Sequence, residues 1–141
     1  MDESLKLFRD VLGFTVYQDL IIPDAAGDFF AQQTLDDIFH VKGSKSRMVI
    51  AVSDEGAMLE LQQPEVPKVQ AVPKEHLRYG YVGISEIAFS VKNIDAWFEK
   101  IKAAGYEPQT NYIWGVSATK AKSFLFYDPD GSMLQFYETV G

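Results

Sequence analysis

The feature that most constrains this chain is an internal repeat. Residues 47–62 align with residues 122–137 at one constant offset, and glycine, methionine and leucine coincide in the second half of the two segments. Each copy reads as a strand, a four-residue turn that contains glycine, and a second strand. A repeated unit of this kind predicts a fold built from two related modules.

Each copy of this hairpin is preceded by an amphipathic helix. Residues 2–12 place apolar side chains on one helical face and stop at Gly13, and residues 94–104 repeat the pattern and stop at Gly105. Only the second helix has a strand, residues 84–91, in front of it. We therefore predict an α+β fold of two βαβββ-like modules, with the first module lacking its leading strand.

The module boundaries follow from the same alignment. We expect a single domain, residues 1–141, in which a first module of residues 1–63 is joined to a second module of residues 83–141. The connection, residues 64–82, is rich in proline and is predicted to be a linker.

Composition restricts the partners of this chain. Thirteen lysine and arginine residues stand against twenty aspartate and glutamate residues, a formal net charge of −7, which argues against a nucleic-acid duplex or an anionic membrane as partner. No cysteine is present, so disulfides, thiolate metal sites and cysteine nucleophiles are excluded. The sequence shows neither a long apolar run nor a signal peptide, so we predict a cytoplasmic protein. A neutral or cationic small molecule remains a compatible ligand.

Three segments, in order, resemble motifs of the vicinal oxygen chelate superfamily. Residues 4–14 read SLKLFRDVLGF, residues 83–96 read GISEIAFSVKNIDA, and residues 128–136 read DPDGSMLQF. The superfamily includes glyoxalase I, methylmalonyl-CoA epimerase, extradiol dioxygenases, fosfomycin-resistance enzymes and bleomycin-resistance proteins. The resemblance implies paired modules whose sheets curl around a cavity, with a divalent metal on the cavity wall, and it implies a homodimer.

The resemblance also implies four metal-ligand positions. The first is missing together with the leading strand, and the others fall on Glu60, on Glu86 in place of the usual histidine, and on Gln135 in place of the usual glutamate. Strand alternation puts each of the three on the more polar face of its strand. Three oxygen ligands suit Mn or Mg better than Zn, and they differ from the two-histidine triad of iron dioxygenases. The implied site is degenerate, with no metal or a weakly held divalent ion.

The same two glutamates are the candidate catalytic residues. If Glu60 and Glu86 lie close together, repulsion and burial raise the pKa of one of them, and that carboxylate could abstract a proton next to a carbonyl group. Proton transfer of this type is the step that glyoxalase and epimerase reactions share. The alternative is that both glutamates are solvated or hydrogen-bonded in the cavity. His40 and His76 fall on no ligand position, and we expect structural or solvated roles for them.

Aromatic residues predict the character of the cavity. Strand parity suggests that Phe124, Phe126 and Tyr137 face it, and Tyr112 and Trp114 lie on a segment that could flank its mouth. Such a lining favours a flat or hydrophobic ligand. For the two phenylalanines the alternative is an ordinary place in the core.

Two functions remain open at this point. The first is a protein that binds a small organic molecule in its cavity and retains a degenerate metal site. The second is a divalent-metal-dependent lyase or isomerase of the glyoxalase or epimerase type. The missing strand leaves an open sheet edge that favours a homodimer, unless the natural chain begins upstream of Met1.

Overall fold

A computed structural model describes residues 1–139 of the chain. These residues form two compact units, residues 1–71 and the chain from residue 72 onward. Both units combine helices with a β-sheet, which confirms the predicted α+β class. Within residues 1–139, no helix is long and apolar enough to cross a membrane.

The first unit opens with a helix that ends at Gly13. Helix α1 (Asp2–Leu5) continues directly into a wider, π-helical segment, Lys6–Val11. The amide of Phe14 donates to the carbonyl of Phe8 and closes the helix end. Leu5 and Phe8 of the predicted apolar face are buried, and Leu7, which lies outside that face, is buried as well.

Three antiparallel strands follow in the first unit. They are β1 (Thr15–Ile22), β2 (Lys45–Val52) and β3 (Met58–Val66), in the order β1-β2-β3. A short helix, α2 (Gln32–Phe39), lies in the long segment between β1 and β2. Among the described residues, β3 has no neighbour on its outer edge.

The second unit has one strand more. Its elements are β4 (Glu86–Ser90), α3 (Ile94–Ala103), β5 (Trp114–Val116), β6 (Ala121–Tyr127) and β7 (Met133–Thr139). The sheet order is β4-β7-β6-β5, with β4 parallel to β7 and the remaining pairs antiparallel. The leading strand predicted only for the second module is therefore present there as β4, next to the closing strand.

The two hairpin turns confirm the internal repeat atom by atom. Ser53 and Asp128 each donate their amide to a carbonyl four residues later and accept the amide of the glycine at the third following position, at 2.8 to 3.0 Å. The glycines, Gly56 and Gly131, have φ values of 87° and 93°, a region that side-chain-bearing residues rarely adopt. The same turn chemistry therefore fixes the same hairpin twice.

Helix α3 covers one face of the second sheet. The Phe98 ring packs edge-on against Phe124 with centroids 5.1 Å apart, and Trp97 does the same against Phe136 at 5.3 Å. The carboxylate of Glu138 on β7 accepts the amides of Asn93 and Ile94, at 2.8 and 3.1 Å. Residues of the sheet thus pack against the apolar face of the helix and accept hydrogen bonds from the amides at its amino end.

Phe124 and Phe126 belong to this helix-covered core. Both side chains are fully buried, and they contact each other and Phe136. The prediction that they face a cavity is wrong. Strand β6 is buried at four consecutive positions, residues 123–126. Because both faces of the strand are buried there, polarity does not alternate along it and does not indicate which residues face the helix.

The predicted linker, residues 64–82, is divided between the units. Its first residues complete β3, which runs to Val66. Farther on, the helical turn Lys74–Leu77 lies against Gly131 in the second unit, and the Arg78 guanidinium donates to the Gly131 carbonyl at 2.8 Å. The chain before residue 72 therefore packs with the first module and the chain after it with the second.

Candidate functional site

The second unit contains a half-open pocket of about 290 Å³, hereafter the cavity, on the sheet face opposite α3. Three strands, β5, β6 and β7, and the short turn between β5 and β6 supply its walls. The lining residues are Trp114, Val116, Thr119, Ala121, Ser123, Gln135, Tyr137 and Thr139.

Strand register explains why space is left there. Trp114 pairs with Ser123, and Ser123 pairs with Tyr137, so the three side chains form one row across the sheet. Two large rings therefore stand on either side of a small hydroxyl, about 9.5 Å apart at the backbone, which is twice the strand spacing. The next row repeats the pattern, with Ala121 between Val116 and Thr139. Small residues on the central strand form the floor, and larger residues on its neighbours form the walls.

A chain of hydrogen bonds holds one end of the floor. The Ser123 hydroxyl donates to the backbone carbonyl of Phe136, and the Gln135 amide group donates to the Ser123 oxygen, both at 2.8 Å. Ser123 is almost fully buried and Gln135 is half-buried. The Gln135 side chain is thus fixed at the cavity wall.

Glu86 lies on the same sheet face but does not line the cavity. It pairs with Met133 on β7, one residue pair away from Gln135 on that face. Its carboxylate accepts a hydrogen bond from the Tyr79 hydroxyl. This contact, with some burial, raises the pKa of Tyr79 to about 12, because ionising the phenol would place two negative charges together.

Glu60 belongs to the other unit. Glu60 lies on β3 and pairs with Ile50 of β2. Its carboxylate accepts a hydrogen bond from the Gln62 amide at 2.8 Å. The Gln62 oxygen in turn accepts a hydrogen bond from the Ser46 hydroxyl at 2.6 Å. The core cluster of α2 lies on this same face, since Ile50 packs against it. The cluster consists of Ile22, Leu35 and Met48, with Leu20, Phe30, Phe39 and Ile50 around it.

The residues present do not fit a metal centre. Among residues 1–139, no group of three or more histidine, aspartate or glutamate side chains is close enough to share an ion. In addition, Glu60 and Glu86 each accept a hydrogen bond from a neighbouring side chain, and Gln135 is turned toward Ser123. A metal would compete with these donors for the same oxygen atoms.

Tyr112, which was predicted to flank the cavity, is absent from its described lining, as are the two histidines. Tyr112 is 60% exposed, and its carbonyl accepts the Thr110 hydroxyl at 2.6 Å. His76 stacks on Tyr81 with ring centroids 4.6 Å apart. His40 ends α2 in the left-handed conformation and lines only an open surface groove along that helix.

The sequence analysis missed the residues of the cavity floor. Ala121 and Ser123 alternate with the large Lys122 and Phe124, and this small–large pattern was the available signal. Trp114, Gln135 and Tyr137, which were singled out, do lie together in the lining.

The two-unit architecture and the repeated hairpin agree with what comparison with known proteins shows. The model of the glyoxalase/bleomycin resistance protein/dioxygenase superfamily matches residues 1–136. The chain belongs to this superfamily. The resemblance noted in the three sequence motifs is thereby confirmed. No curated protein matches the chain.

Solved structures of this superfamily share the fold at low identity. A glyoxalase family protein from Bacillus cereus superposes with a TM-score of 0.77 at 14% identity, covering 100% of this chain and 87% of that one. A glyoxalase family protein from Enterococcus faecalis gives 0.61 at 17% identity, with 98% and 88% covered. The fosfomycin resistance protein FosX from Listeria monocytogenes, complexed with Mn(II) and sulfate, gives 0.58 at 13% identity, with 99% and 84% covered. At such identities the likeness concerns the fold alone.

Proposed function

We propose that this superfamily member binds a small organic molecule in the cavity of its second unit and needs no metal ion to do so. The row Trp114–Ser123–Tyr137 is the observation that carries the proposal, because it places two aromatic walls beside a small floor. A volume of about 290 Å³ is close to the lower end, roughly 300 Å³, of ligand pockets in general. The ligand is therefore a molecule of one or two rings.

A metal-dependent lyase or isomerase has less support. Proton abstraction next to a carbonyl requires a base within reach of the substrate and a group that stabilises the developing oxyanion. The described lining of the cavity contains neither a carboxylate nor an imidazole. Glu86, the nearest candidate base along the sheet face, is engaged by Tyr79. The Mn(II) complex is that of FosX, and a metal-dependent activity of the present chain is the alternative to the proposed function.

The oligomeric state and location belong to the proposal as well. The open edge of β3 supports a homodimer, and light scattering coupled to size exclusion would measure the mass directly. The cytoplasmic location stays a prediction from the sequence.

Filling the floor tests the proposed function. Ala121→Leu places a larger side chain between Val116 and Thr139, where it should occupy the space that a ligand needs. Ala71→Leu, at an exposed position outside the cavity, is the matched control. Both variants and the wild type would be screened by ligand-observed NMR against neutral, cationic and anionic one- and two-ring compounds.

Two results are informative in this screen. We expect a subset of compounds to bind the wild type and Ala71→Leu but to lose at least about tenfold in affinity for Ala121→Leu, since filling the space removes the packing they gain. If no compound binds, or if every bound compound binds Ala121→Leu equally well, the proposed function is wrong.

A further inference from the structure

We infer that the cavity selects a neutral, planar molecule that donates an N–H or O–H hydrogen bond to the side-chain oxygen of Gln135. The inference rests on the proposed function and adds to it the chemical class of the ligand.

The orientation of the Gln135 amide follows from its neighbours. The Phe136 carbonyl can only accept, so the Ser123 hydroxyl directs its proton there, over 2.8 Å. The Ser123 oxygen is then left as an acceptor, and only the NH₂ end of Gln135 can satisfy it, at 2.8 Å. The opposite orientation would set the amide oxygen against the Ser123 oxygen. The hydrogen-bond chain therefore leaves the Gln135 oxygen Oε1 as the free end of the amide.

This oxygen is accessible to solvent, since no buried side-chain oxygen among the described residues lacks a hydrogen-bond partner. Among the described residues, no group donates a hydrogen bond to Gln135 Oε1, and the side chain lines the cavity. A ligand that displaces water from the cavity without supplying a donor would leave the carbonyl oxygen unsatisfied, which is unfavourable. A ligand with an N–H or O–H at that point would satisfy it.

The two aromatic side chains of the lining favour a flat ligand. Trp114 and Tyr137 stand about 9.5 Å apart at their backbones, across Ser123. A flat ring can lie between them and contact aromatic surface on both sides.

All lining side chains are neutral. The carboxylate of Glu86 lies farther along the same sheet face and already accepts the Tyr79 hydroxyl. A charged ligand would lose its hydration without gaining a charged partner in the lining. Neutral compounds are therefore favoured over both ammonium and carboxylate compounds of the same size.

Indole and 1-methylindole form a suitable probe pair. Both are neutral and planar, and they differ in the N–H group, which the methyl group replaces. Affinities would be measured by ligand-observed NMR titration for the wild type and Gln135→Leu. Gln70→Leu carries the same change at an exposed position away from the cavity and serves as the control.

The wild type and Gln70→Leu should bind indole at least about tenfold more tightly than 1-methylindole, the difference expected for one neutral hydrogen bond. Gln135→Leu lacks the acceptor and should bind the two compounds equally. Tryptamine and indole-3-acetate, which carry opposite charges, should bind the wild type more weakly than indole does.

Failure of this inference differs from failure of the proposed function. If indole and 1-methylindole bind the wild type equally and Ala121→Leu weakens both, the cavity binds ligands but the assigned class is wrong. The same conclusion follows if Gln135→Leu keeps the preference, or if a charged compound binds more tightly than indole. The assigned class is also wrong if neither probe binds and the compounds that do bind lack an N–H or O–H group. Such binding counts only where Ala121→Leu weakens it. If nothing binds, the proposed function fails and the inference fails with it.

Discussion

The Tyr79 hydroxyl donates a hydrogen bond to Oε2 of Glu86. Glu86 stands at one of the positions where the superfamily resemblance implies a metal ligand, and here a phenol from the segment before β4 contacts its carboxylate. The partner of this carboxylate is therefore a proton donor of the same unit. Two measurable consequences concern the phenol and the affinity for metal ions.

Glu86→Gln should lower the pKa of Tyr79 from about 12 toward its ordinary value near 10. The carboxylate favours the neutral phenol in two ways: it accepts a hydrogen bond from the hydroxyl, and its charge repels the phenolate. A neutral amide can still accept the hydrogen bond, but it does not repel the phenolate. The tyrosine ring carbon resonances of ¹³C-labelled protein, followed from pH 8 to beyond pH 12, would report the titration, and Tyr79→Phe would assign the signal. Glu107→Gln, at an exposed site, should leave it unchanged. An unaltered Tyr79 titration in Glu86→Gln would contradict the contact.

Divalent ions should leave the thermal midpoint of the metal-stripped protein unchanged. Glu60 and Glu86 are occupied by side-chain donors, and no cluster of three metal-binding side chains occurs among residues 1–139. An ion at about 100 times its Kd would add roughly 2.7 kcal/mol to the free energy of unfolding, a shift of several degrees for a domain of this size. Differential scanning fluorimetry with Mn, Mg, Co, Ni, Zn and Fe(II) would detect it. A rise that Glu60→Gln or Glu86→Gln abolishes would restore the metalloenzyme alternative.

The fold could be predicted from the sequence because its signals are local. Glycine turns and amphipathic helices fix the two hairpins and the two main helices, and the strand in front of the second helix was visible in residues 84–91. The facing side of β6 could not be predicted, since Ser123, Phe124, Leu125 and Phe126 are all buried. Side-chain size could have decided it, because the small residues Ala121 and Ser123 mark the face that no helix covers.

The candidate site was predictable only in part. Glu86 and Gln135 share a sheet face, as alternation predicted, and Trp114 joins Tyr137 through strand pairing. The contact of Tyr79 with Glu86 was out of reach, because Tyr79 lies in the segment taken as a linker and nothing in its local sequence specifies a partner.

Phe126→Ala should lower the free energy of unfolding by about 3–5 kcal/mol. The ring is fully buried and packs against Tyr106, Phe124 and Phe136, so its removal leaves a cavity in the helix-covered core. Urea denaturation followed by circular dichroism would measure the loss. Tyr112→Ala removes an exposed ring and should change the free energy by no more than about 0.5 kcal/mol. Similar small losses for the two variants would mean that Phe126 faces solvent or ligand space.

Asp36→Asn should lower the free energy of unfolding at neutral pH, and this difference from the wild type should disappear in acid. The amides of Gly43 and Ser44, with the Gln32 side chain, lower the pKa of Asp36 from 3.8 to about 2. The carboxylate therefore contributes stability that is fully present above about pH 4 and is lost as the pH falls toward 2. Urea midpoints of the two proteins should differ at pH 7 and converge near pH 2. Asp37→Asn, one residue away, is the control; a gap that persists at pH 2 would argue against the assigned contacts.

Asp128→Asn should stabilise the second hairpin at neutral pH. Burial raises the pKa of Asp128 above its usual value, although it accepts the Ser132 amide at 2.7 Å. An asparagine oxygen can accept the same amide without the cost of burying a charge, and the equivalent residue of the first hairpin, Ser53, is already neutral. The rise in thermal midpoint should be present at pH 7 and vanish below about pH 4, where aspartate is protonated in both states. Lower stability of the variant at pH 7 would show that the charge itself supports the turn.

The described residues that line the cavity come from one uninterrupted stretch of chain, residues 114–139. Contacts between residues so near in sequence lose less loop entropy when they form than contacts between distant residues do. The parallel pairing of β4 with β7, by contrast, must bring distant parts of the chain together. The cavity is thus the part of the second unit that depends least on long-range pairing, and a bound ligand would reinforce a local meander rather than clamp remote segments to one another.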